Sequence, residues 1–111
     1  MKTRTTIEID GEPCQHVEDD ERRLSYTFTI IAAPLQVEGT IQGTPFYFRA
    51  RGDRYRFAVS EDENISPVAM KAGDPGFYTS VDLPDADCLS FDEAEDVIER
   101  LTDQYLRERK T

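Results

Sequence analysis

The side chains best placed to do chemistry are five carboxylates near the end of the chain. Asp92, Asp96, Glu99 and Asp103 are spaced i, i+4, i+7 and i+11, with Glu95 alongside. On a helix this spacing gathers them on one face, with a carboxylate every ~5–6 Å of axis. Phosphates on one DNA strand repeat every ~3.4 Å, a loose match in spacing but a good match in kind. A row of fixed negative charges could occupy the basic groove of a DNA- or RNA-handling machine. The solvated side of an ordinary amphipathic helix carries the same pattern. Glu18 to Glu21, Glu61 to Glu63, Asp82, Asp85 and Asp87 would widen the acidic field.

A second group has the opposite sign. Arg49, Arg51, Arg54 and Arg56 crowd around Gly52-Asp53, with Tyr47 nearby. Arginine beside an aromatic ring can clamp phosphate or carboxylate, or stack on a base. The alternation places Tyr47 and the four arginines on one strand face, opposite Phe46, Phe48, Phe57 and Val59. Arginines on a wet strand face can also simply pair with nearby acids. The expected docking residues are therefore Asp92, Glu95, Asp96, Glu99, Asp103, Tyr47, Arg49, Arg51, Arg54 and Arg56.

Other groups carry less. Cys14-x-His16 offers two ligands, whereas a closed zinc site wants four from Cys and His. Neither Cys14 nor Cys88 sits in a nucleophile motif, and Asp85 with Asp87 is the kind of acid pair any acidic chain contains. Neither a P-loop nor a dinucleotide-binding glycine pattern is present. Arg51-Gly52-Asp53 spells an adhesion tripeptide, but it falls where a hairpin must turn. The expectation is a protein that is not an enzyme, with no metal and no cofactor.

Charge narrows the partners. The 111 residues carry a formal net charge of -10, with 13 Lys and Arg against 23 Asp and Glu. Residues 49–56 are locally +3, which leaves -13 elsewhere. Such a field repels nucleic acid and acidic membrane surfaces and steers toward basic partners. The expected partner is a basic protein or nucleoprotein complex, with no direct contact to nucleic acid or membrane. A second copy of the chain could also pair arginine face to acidic helix, giving a homodimer. With two cysteines, no apolar leader and no membrane-length apolar run, the expected setting is the cytoplasm, with free thiols.

These groups need a scaffold. Residues 3–9, 24–31, 35–41, 45–51, 54–60 and 77–83 alternate as half-buried strands. Residues 13–17 read as a return strand after Asp10-Gly11, ahead of a charged loop; the alternative is a short helix opened by Pro13 and reaching Arg22. Ala33-Pro34 breaks one strand, and Pro67 to Met70 could form a short one. Ser90-Phe91-Asp92-Glu93 is a capping box opening a helix, and Arg107, Arg109 and Lys110 suit its negative end. Ala94, Val97, Ile98, Leu101 and Tyr105 form the helix's apolar stripe. The expected fold is α+β: a single compact domain over 1–111, an antiparallel meander of about five or six strands with the C-terminal helix on its apolar face.

Together these features predict a small acidic inhibitor of the DNA-mimic, anti-CRISPR or anti-restriction type from a phage or mobile element. The alternative is an interaction module, such as an immunity protein or secretion adaptor, that does not act by mimicry.

Overall fold

A computed structural model describes residues 1–31 and 34–109. Seven strands follow one another: β1 (Lys2–Ile9), β2 (Glu12–Asp19), β3 (Leu24–Ile31), β4 (Leu35–Ile41), β5 (Thr44–Arg51), β6 (Arg54–Ser60) and β7 (Gly76–Asp82). A short 3-10 turn, Ala86–Cys88, leads to helix α1 (Phe91–Arg109). The strands lie in one antiparallel sheet in chain order, β1 to β7. The architecture is α+β as expected, but with seven strands rather than five or six. The return strand expected at 13–17 forms as β2, extends over Glu12–Asp19, and pairs over its full length with β1. Residues 67–70 form turns instead of a strand. Ala33 and Lys110, to which the sequence assigned a strand break and a helix-end charge, lie outside the described residues.

The turns follow from residue type. Asp10-Gly11 and Gln42-Gly43 both have positive φ at each residue, as a two-residue type I′ hairpin requires. At the β5–β6 turn only Gly52 has positive φ.

The core lies between one sheet face and α1. Leu24, Tyr26, Phe28, Leu35, Val37, Ile41, Phe46, Phe48, Phe57 and Val59 are all buried there with Ala94 and Ile98. The helix is anchored by rings at both ends. Phe91 meets Phe28 of β3 edge-on at 4.8 Å, and Tyr105 meets Phe77 of β7 at 6.1 Å. The capping box forms: the Glu93 amide donates to Ser90 Oγ at 3.1 Å, and the Ser90 amide donates to Glu93 Oε1 at 3.0 Å. No helix among the described residues is long and apolar enough to cross a membrane.

The opposite sheet face is partly covered too. The segment between β6 and β7 folds back over it, and Met70 is buried there with Tyr47 and Ala58. Ser60 ties this segment down by donating to the carbonyls of Asp62 and Ile65.

Candidate functional site: an engaged carboxylate row and an arginine face

The carboxylate row lies along α1, but it turns toward the edge of the sheet rather than away from it. Glu95 is only 2% exposed. Lys2 Nζ reaches Glu95 at 2.9 Å and Glu99 at 2.9 Å. Arg4 pairs with Asp92 at 2.8 Å and bonds Glu95 through both Nε and Nη2. Arg22, in the β2–β3 turn, grips Asp103 with two nitrogens at 2.9 and 3.1 Å and reaches Glu99 at 3.3 Å. It also holds Asp19 at 2.8 Å. Only Asp96 in the row makes no ion pair or hydrogen bond among the described residues.

This corrects the expectation of an open acidic face. The helix runs antiparallel to β1, and the two spacings agree. Two residues of strand span about 6.7 Å, and four residues of helix span about 6 Å. Lys2 and Arg4 therefore meet successive turns. The sequence reading missed Lys2, Arg4 and Arg22. The available signal was the second face of β1, where Lys2, Arg4, Thr6 and Glu8 alternate with Thr3, Thr5, Ile7 and Ile9.

The pairing shifts titration. Hydrogen bonds from Lys2 to Glu99 and Glu95 push the lysine up to about 12. Burial pushes the Asp19 carboxyl up, but bonds from Arg22 and from backbone amides outweigh it and hold the group below the ordinary value. Burial drives the Tyr26 hydroxyl, which has no hydrogen-bond partner, far above its usual range.

The arginine face also divides. Arg49 stands opposite Arg56, and Arg51 opposite Arg54, across β5 and β6. Arg56 is structural: its Nη2 donates to the carbonyls of Pro67, Val68 and Met70 at 3.2, 2.8 and 2.8 Å. Its guanidinium lies 5.6 Å from the Tyr47 ring centre and 5.4 Å from that of Tyr78. Tyr47 is buried and donates to Gln36 at 3.0 Å. Tyr47 and Arg56 thus anchor the β6–β7 segment and do not offer free docking groups. Arg54 pairs with Asp82 of β7 at 2.9 Å. Arg49 and Arg51 make no ion pair among the described residues, and Arg49 Nε is buried without a hydrogen-bond partner. These four arginines and Tyr55 line a shallow depression of about 180 Å³.

The remaining groups are accounted for locally. His16 lies 2.7 Å from Glu18 and 2.8 Å from Thr27, within an outer-face hydrogen-bond cluster that includes Ser25. Both cysteines are free, and the neighbouring Asp87 charge pushes the Cys88 thiol up, away from the nucleophilic thiolate. Among the described residues, no group of three or more His, Cys, Asp or Glu could hold a metal ion. A cavity of about 640 Å³ opens at the sheet end between Gly43, Glu61 and Arg109, where Tyr105 donates to Glu61 at 2.6 Å.

No protein-family model matches the chain, and no significant match to it was found among curated proteins or among solved structures.

Proposed function

We propose that the protein is a non-enzymatic binding module that docks an acidic segment of a partner protein against Arg49, Arg51 and Arg54. One observation carries this reading. Two arginine–arginine pairs face each other across β5 and β6, on a chain with 23 acidic residues, and among the described residues Asp82 alone supplies them a carboxylate. Like charges directly opposite on a sheet are destabilising. A partner carboxylate offsets that repulsion, and the guanidinium fork donates to it in bidentate fashion. The charge of -13 outside the hairpin disfavours nucleic acid as the occupant. An immunity protein or secretion adaptor working in a reducing cytoplasm has this character.

The test is capture of partners from the native host with the wild-type chain and with an Arg49→Glu, Arg51→Glu variant. Loss of the specific partner by the folded variant supports the reading, and equal recovery overturns it.

Inhibition by nucleic-acid mimicry is the second reading, supported by the net charge and by the outward-facing Asp96. Under it, Asp96→Lys releases the partner and an added oligonucleotide competes for it. Under the arginine reading neither change matters.

A further inference from the structure

We propose that two copies of the chain join edge to edge through β1, extending the sheet across a two-fold axis. This inference is independent of the arginine surface, which lies on other strands. β1 is the first strand of the sheet and pairs on one side only. Its eight residues are exposed except for the half-buried Ile7. The free edge therefore offers a row of backbone N–H and C=O groups to another strand.

The sequence of β1 is suited to pair with itself. Lys2 and Arg4 stand at its beginning, while Glu8 stands near its end and Asp10 follows in the turn. Lys2, Arg4 and Glu8 have the same parity and share the helix-side face, and Asp10 lies in the turn just beyond the strand. An antiparallel pairing centred on Thr6 sets Arg4 opposite Glu8 of the second copy, and the two-fold axis repeats the contact. The same register sets Lys2 opposite Asp10. On the other face it brings Thr5 beside Ile7 and Thr3 beside Ile9, covering an isoleucine now 40% exposed. Cross-strand pairs of opposite charge and of β-branched side chains both favour association.

Free lysine or arginine on an edge normally keeps other strands away. Here Asp92, Glu95 and Glu99 hold Lys2 and Arg4 against the helix, so neither side chain swings loosely across the edge, yet at 37% and 35% exposure each still presents its charge to a second copy. Glu8 makes no ion pair among the described residues and is available. The other edge, β7, has Asp82 as its only charged residue, and Arg54 holds it. Pairing β7 to itself would gain no such contacts. Pairing of β1 with β1 closes the assembly, whereas β1 with β7 would grow a filament.

The experiment is sedimentation equilibrium of the full chain at or above ~0.15 M salt, where the repulsion between two net-negative copies is screened to within about 8 Å. The expected result is a reversible dimer. Glu8→Lys should weaken it at least tenfold with an unchanged circular dichroism spectrum. In a Cys14→Ser, Cys88→Ser background, Thr6→Cys should cross-link copy to copy on mild oxidation, and Ser80→Cys on β7 should not. A wild-type monomer at every concentration overturns the proposal. So does a dimer indifferent to Glu8→Lys, or one cross-linked through β7.

Discussion

Arg4 and Glu95 meet where the first strand passes beneath the last helix, and the Arg4 Nε donates to the Glu95 carboxylate at 2.8 Å. Because Glu95 is buried, this contact joins residues far apart in sequence at a place that tolerates no unpaired charge.

Removing one partner should therefore cost more than a surface ion pair is worth. Arg4→Ala leaves Glu95 with Lys2 alone. The expected loss is about 2–4 kcal/mol, below the full penalty for a stranded buried charge because Lys2 remains. Urea unfolding would measure it. The double change Arg4→Met, Glu95→Met should recover most of the loss.

Arg56 holds the β6–β7 segment by three carbonyls and two aromatic rings. Arg56→Gln should release that segment before the rest of the sheet is affected. Amide exchange between residues 65 and 71 should speed up, with a global loss of about 1–3 kcal/mol.

Gly39 lies opposite Tyr26, between β4 and its neighbour β3. A Cβ there would run into the Ser25 carbonyl oxygen and sit 2.6 Å from Tyr26 Cα. Gly39→Ala should destabilise by about 1–3 kcal/mol through strand displacement. A chemical-denaturation midpoint checks this.

Stability should fall at both ends of the pH scale. Asp19 has a lowered folded value, so its contribution is present above the ordinary 3.8 and is lost as pH drops through the folded value. Burial and the Glu61 hydrogen bond raise Tyr105 to about 12, and Lys2 is also raised to about 12. Their contributions are full below 10.0 and 10.5 respectively, and are lost as pH climbs toward 12. Thermal midpoints between pH 9 and 12 should decline less steeply in Tyr105→Phe.

The parts of this molecule governed by local rules were readable. The capping box at Ser90 and Glu93, the Asp10-Gly11 turn, and the alternation that buries Phe46, Phe48 and Phe57 all follow from neighbours in sequence. What escaped depends on distant segments. A carboxylate on a helix looks alike whether water or a remote arginine satisfies it, so Glu95 could not be told from Asp96. The segment covering Tyr47 and Arg56 has no periodicity to announce it. Two of the five residues expected on the arginine surface, Tyr47 and Arg56, proved to be internal support for that reason.

The strand order has a consequence for synthesis. Each strand of the meander can pair with its predecessor as it leaves the ribosome. The aromatic side of that nascent sheet stays bare from the end of β7 at Asp82 until α1 ends at Arg109. At about 5–20 residues per second this wait is about 1–5 seconds. For that interval the half-made chain is a target for chaperones, and a stop codon just before Ser90 would make the exposure permanent.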